Sequence, residues 1–189
     1  MYCVARVSEN IMQKVRLALT LTFLLLNVWS CAQSGQSGQL ITFVKDNHKI
    51  EYPKSWTLDT SGLVGSELFV LSPLENDSDK FRENVSVIIQ NLAGQNIDLD
   101  KYKEISEKQL TDLGADIKVL ESSTVKAAKG DFYSIRYAMN RNNFKLIVTS
   151  NCYIKNEKAY LITFTSESST YERYKNVGQR ILDSFQFLR

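Results

Sequence analysis

Hydrophobic and polar residues change period along the chain, and the changes mark its elements. From Asp131 to Met139, Tyr133, Ile135, Tyr137 and Met139 alternate with Phe132, Ser134, Arg136 and Ala138, the period of two of a strand with one face buried. The polar cluster Asn140-Arg141-Asn142-Asn143 follows, and Asn tolerates the left-handed backbone of a tight reversal. Phe144–Lys155 then places Phe144, Leu146, Val148, Cys152 and Ile154 on one face. After Asn156-Glu157, Lys158–Thr165 repeats the alternation with Tyr160, Ile162 and Phe164. Three strands joined by short turns predict an antiparallel meander. Beyond Thr165 the spacing becomes three or four, at Tyr171, Tyr174, Val177, Ile181 and Phe185. That is the stripe of a helix, which Ser168 or Ser169 can cap.

Upstream, Leu40–Val44 and Lys49–Tyr52 read as short strands around Asp46-Asn47-His48, and Pro53 ends the second because proline cannot donate to a sheet ladder. Ser66–Ser72 and Asn84–Leu92 are further strands. Leu99–Leu113 has helical spacing at Leu99, Tyr102, Ile105, Leu110 and Leu113. Asp98 can cap its first turn, and Gly114 can take the left-handed conformation that ends it. Ile117–Val125 alternates again, with Ile117, Val119, Glu121, Ser123 and Val125 on one face. The order predicts an α+β fold in which a mainly antiparallel sheet is covered by helices.

The first thirty residues follow a different pattern. Lys14 and Arg16 precede the apolar run Leu17–Val28. As a helix those residues reach about 18 Å, against roughly 30 Å of hydrocarbon, which suits a secretory signal better than a membrane span. Either Met1 or Met12 can begin such a signal. Ala32–Gln39 contains only Ala, Gln, Ser and Gly, a tether with a root-mean-square reach of about 16 Å. The expected division is 1–30 signal peptide, 31–39 anchor and tether, and 40–189 folded domain.

Charge changes the picture little. Residues 1–30 hold Arg6, Lys14, Arg16 and Glu9, and the remainder has as many basic as acidic side chains. Such a balance does not provide the cationic footprint of a nucleic-acid binder. Of the three cysteines, Cys3 precedes the expected cut and Cys31 stands at it, so Cys152 is left without an internal disulfide partner.

Val28-Trp29-Ser30-Cys31 resembles the lipobox of bacterial lipoproteins, with an aliphatic residue three before the cysteine and a small residue directly before it; Trp29 departs from the usual small residue. The resemblance implies that Cys31 carries lipid; the other readings of the segment are an ordinary signal peptide cut near Ala32 and an uncleaved anchor. The lipobox resemblance also implies a periplasm-facing protein of the bacterial envelope, and Ala32 rather than aspartate after the cysteine resembles outer-membrane sorting. Over about residues 40–187, Tyr52-Pro53-Lys54-Ser55-Trp56, the Val85–Ile89 strand, the mid-chain helix, the meander and the closing Ile181-Leu182-Asp183-Ser184-Phe185 resemble the PsbP-like domain superfamily. That group includes photosystem accessory proteins and small bacterial envelope proteins. The resemblance implies an antiparallel sheet covered by helices and does not assign a reaction.

Candidate chemistry is sparse. His48 is the only histidine, and it pairs with Cys152 only if the fold joins them. Glu75-Asn76-Asp77-Ser78-Asp79 offers oxygen ligands suited to calcium but lacks the glycine and distal glutamate of a helix-loop-helix calcium site. No phosphate loop, nucleophile elbow or paired Cys-x-x-Cys motif occurs. Tyr52 and Trp56 are the candidate lining of a ligand groove, the other reading being packing at the domain edge. The expected function is a non-catalytic accessory or protein-interaction module, anchored by Cys31, without a cofactor and with an envelope protein as partner. The alternatives are a small-ligand carrier with a pocket between helix and sheet, and a cryptic envelope enzyme.

Overall fold

A computed structural model describes residues 38–114 and 116–188. The signal segment, Cys31 and all but the last two residues of the tether lie outside the described residues. From Gly38 onward the chain forms one compact unit.

Seven strands form one antiparallel sheet in the order β3-β4-β5-β9-β8-β7-β6: β3 Thr57–Asp59, β4 Leu68–Leu71, β5 Asn84–Asn91, β6 Ile117–Val125, β7 Phe132–Arg141, β8 Phe144–Lys155 and β9 Lys158–Glu167. The last four are sequential neighbours, as the alternation predicts. Asn142 and Asn143 close β7 to β8 with φ of 50° and 70°, and Asn156 and Glu157 close β8 to β9 with φ of 50° and 54°. Successive left-handed residues match the twist of a two-residue hairpin. A second, three-stranded sheet has the order β1-β2-β10, from β1 Leu40–Lys45, β2 His48–Pro53 and β10 Gln186–Phe187.

The helices α1 (Leu99–Asp112) and α2 (Tyr171–Ser184) pack on opposite faces of the large sheet. Tyr174, Val177, Ile181 and Leu182 of α2 are buried with Val85, Val87, Tyr160, Ile162 and Phe164, and Ile50, Tyr52 and Trp56 join the same core. Each fully buried aliphatic or aromatic side chain there contributes about 1.5–3 kcal/mol before entropy. The other face carries Tyr133, Ile135, Cys152 and Ala159 under α1. No α1 side chain is fully buried.

Three details depart from the sequence reading. Thr170, not Ser168 or Ser169, is the residue before α2, and it makes no side-chain cap. Its hydroxyl donates instead to the buried Glu83. Phe185 belongs to the apolar stripe, yet it lies just past the helix, where the backbone turns extended to enter β10. In β6 a bulge at Leu120 resets the alternation: Val119 pairs with Tyr137, but Glu121 pairs with Arg136 and Ser122 with Ile135. Two residues facing one flip every later side chain to the other face, so Val125 packs toward the α2 core.

Candidate functional site

The cleft between α1 and the sheet is a pocket of the kind expected between helix and sheet. Its volume is about 230 Å³, and Tyr102, Leu110, Leu113, Tyr133, Tyr137 and Cys152 are among its lining. The sequence places them there for separate reasons. Tyr133 and Tyr137 alternate on one face of β7, Cys152 pairs with Tyr133 across the hairpin, and Tyr102 and Leu110 lie on the sheetward stripe of α1. Asp98 starts that helix by accepting a hydrogen bond from Lys101 N at 2.8 Å. The Tyr102 hydroxyl donates to Gln90 Oε1 at 2.9 Å. Lys103 lies 2.8 Å from Glu107, and Glu107 in turn accepts a hydrogen bond from Ser122 of β6. The bond from Lys103, then that from Ser122, holds the Glu107 carboxyl below its usual range. Polar contacts thus tie down a helix that buries little.

Beyond β7, which lines the cleft, lies β6, one edge of the large sheet. Leu113 is 67% exposed, and Val119 and Leu120 are each 43% exposed. Because Val119 pairs with Tyr137, it shares the cleft face, so the apolar lining continues outward to an edge strand. An edge strand exposes backbone donors and acceptors that an extended segment can pair with.

A wider cleft of about 850 Å³ lies where the start of α1, the β6–β7 turn and β10 meet. Its lysines are already engaged. Lys126 pairs with Asp131 at 2.6 Å, Lys129 donates to Asp183 O at 2.7 Å, and Lys155 sits 4.4 Å from the centre of the Phe187 ring. Size alone therefore does not make it the better site.

The chemistry-bearing residues do not converge. Cys152 faces α1, and burial pushes its thiol up to about 12, with the nearby Tyr102 hydroxyl only partly opposing the shift. A buried protonated thiol is a poor nucleophile. His48 is buried on the other side of the sheet, against Tyr160 and Phe185. Its Nε2 lies 2.7 Å from Glu67 Oε1, an ion-pair distance without hydrogen-bond alignment. The two residues therefore form no Cys-His pair. In the acidic loop, Asp79 accepts hydrogen bonds from Glu75 N and Phe81 N, and Glu75 pairs with Arg173. Among the described residues no group of three His, Cys, Asp or Glu side chains is placed to hold a metal ion.

Tyr52 and Trp56 are 5% and 3% exposed within the α2 core, and neither lines the two clefts described above. Cys31 lies outside the described residues. Sequence reading missed Glu83, a buried carboxylate that accepts from Ser72, Ser166 and Thr170 at the start of α2. Its neighbours in sequence, Arg82 and Asn84, are polar, and its partners come from three separate segments. It also missed the Leu113–Val119–Leu120 patch, because apolar residues in a helix and a strand read as core.

A family model described as PsbP matches residues 39–187. Among solved structures, the cyanobacterial PsbP protein CyanoP from Synechocystis sp. PCC 6803 superposes with a TM-score of 0.55 at 17% identity, over 85% of this chain and 98% of that one. LpqN of Mycobacterium tuberculosis, described as involved in cell envelope biogenesis, gives 0.59 at 10% identity, again over 85% and 98%. PA94 of Pseudomonas aeruginosa, described as of unknown function, gives 0.52 at 9% identity, over 78% and 96%. These likenesses establish the fold. The comparison with curated proteins gives no match.

Proposed function

The chain belongs to the PsbP family, and we propose that it is a non-catalytic accessory module of a bacterial envelope that binds a protein partner through the α1 cleft and the β6 edge. The observation carrying this reading is that the apolar cleft lining includes exposed Leu113 and, through Tyr137, adjoins exposed Val119 on the edge strand β6, beside the exposed bulge residue Leu120. Isolated surface hydrophobics are ordinary, whereas a patch continuous with a groove and a free backbone edge is an interaction surface. The scattered, protonated or locally paired state of Cys152, His48 and Glu83 supports a binding role over a catalytic one.

The address is part of the same proposal. Cys31 carries lipid, the tether holds the domain near the membrane, and Ala32 directs it to the outer membrane facing the periplasm. The involvement of LpqN in envelope biogenesis supports the placement in the envelope. Mass spectrometry of the mature amino terminus tests the anchor: a diacylglycerol-modified Cys31 is expected, and a free amine at Ala32 or later contradicts it.

The interaction is tested by Leu113→Glu combined with Val119→Glu. Both positions are exposed, so the variant is expected to keep its unfolding midpoint while losing the partner recovered with the parent protein by crosslinking in cells. Retention of that partner at parental yield overturns the assignment. A second reading, a carrier of a small apolar ligand, is favoured by the aromatic and aliphatic lining of the cleft. Its volume of about 230 Å³ limits the ligand to one smaller than most drug-sized molecules. A stoichiometric compound extracted by organic solvent from the purified protein supports that reading, and its absence removes it.

A further inference from the structure

We propose that the outward face of β1 rests on the surface of the bilayer that anchors the chain, with Leu40 and Val44 entering the headgroup boundary. The inference rests on the reading of Cys31 as a lipid anchor. Its structural basis is separate. Leu40, Thr42 and Val44 alternate onto one face of β1 while Phe43 packs toward the core, and Leu40 and Val44 are 39% and 57% exposed. Among the described residues β1 is also an edge, with β2 as its partner in the small sheet. Leu40 borders a groove beside Val177 and Ile181 of α2, Ile41 on the other face is 38% exposed, and among the described residues no element lies over Val44.

What covers the outward face of β1 follows from where the preceding chain ends. Ala32–Gln39 leads directly into Leu40, so β1 is the element nearest the anchor. A linker of eight residues of this composition has a root-mean-square reach of about 16 Å, the distance over which a lipid on Cys31 would hold β1. A surface held that close meets the bilayer at high effective concentration, so a contact too weak to recruit a free protein still forms. Two outward aliphatic side chains fit such a contact.

The charges around β1 indicate which lipid chemistry matters. Lys45, Lys49 and Lys54 stand against Asp46 and Glu51 in the β1–β2 hairpin. Lys45 lies 3.6 Å from Glu67, and Lys49 lies 3.8 Å from Glu51. With its charges nearly balanced and largely paired, the hairpin meets the membrane through apolar contact. The docking is accordingly expected to be insensitive to salt and to the fraction of anionic lipid.

The test uses the full lipidated chain, purified from membranes and returned to vesicles of phosphatidylethanolamine and phosphatidylglycerol that contain doxyl-labelled lipid. A fluorophore is placed at Thr42→Cys or, as reference, at Lys118→Cys on β6; Cys152 is buried and does not compete. Lipid quenching at residue 42 is expected to exceed that at residue 118 by about threefold or more, at low and high salt alike. Combining Leu40→Ser with Val44→Ser is expected to abolish the difference. Equal quenching at the two sites in protein that floats with the vesicles overturns the docking but leaves the anchor standing. Failure to float removes both. Shielding of residue 42 from an aqueous quencher without any lipid present assigns the face to a second copy of the chain and overturns the lipid reading.

Discussion

Gly178 shows how one missing methyl group can decide packing. It lies inside α2, where alanine would ordinarily stabilise by about 1 kcal/mol. A Cβ there would stand 2.6 Å from the Phe164 ring. Phe164 is itself buried in the α2 core, so the ring cannot move aside freely, and overpacking of this kind costs about 1–3 kcal/mol. Gly178→Ala is therefore expected to lower stability by up to about 2 kcal/mol in denaturant unfolding, the overpacking offsetting or outweighing the gain in helix propensity. Periodicity does not reveal this position, because only the assembled sheet places a ring beneath it. Cys152 is the opposite case, since its place in a strand pattern already implied a buried thiol. In the fold its thiol stays protonated up to about 12, against an ordinary value of 9.0. The unfolded state releases the proton first, so this contribution to stability is complete below pH 9.0 and is lost as pH rises toward 12. Cys152→Ala is expected to make stability fall less steeply across that interval. A stability–pH curve identical to that of the parent protein would contradict the role given to the thiol.

The two helices are held in different ways, and this governs which one moves. α2 buries an apolar stripe against both sheets, whereas α1 has no fully buried side chain and depends on the Asp98 cap, the Tyr102–Gln90 bond and the Glu107–Ser122 contact. Helices with few buried contacts open at lower free energy than the whole domain. Amides of α1 are expected to exchange faster than those of α2. Asp98→Ala, which removes a cap of about 1 kcal/mol, is expected to speed α1 exchange severalfold while leaving α2 unchanged. Acid acts in the same direction. The Glu107 carboxyl lies below its usual 4.5, so its contribution is present above pH 4.5 and disappears as pH falls through the lower folded value. Exchange in α1 is expected to rise first on acidification. The helices and long strands were legible because their periods are long and clean. β3, with three residues, and β10, with two, are too short to show a period. The Leu120 bulge was hidden because Val119 and Leu120 are both apolar, so the alternation gives no sign that one residue is extra.

At the scale of the molecule, one sheet separates two environments. The α2 face is a filled core that gathers Tyr52, Trp56 and His48, while the α1 face is thinner and retains a cleft that adjoins the β6 edge. The α+β class was readable from the order of periods. Which face each helix covers was not, because that depends on how β5 inserts between β4 and β9. The candidate site was readable only as a pocket between helix and sheet. Its residues come from α1, β5, β7, β8 and β9, and no local motif joins them. The measurement that tests the interaction account most directly is photo-crosslinking in intact cells from a reactive side chain substituted at Val119, with Arg180 on α2 as the reference position. A discrete adduct with one envelope protein from position 119, absent from position 180 and lost on Leu113→Glu, is the expected result. The same adducts from both positions, or an adduct indifferent to Leu113→Glu, would contradict the assignment of the partner to the α1–β6 surface.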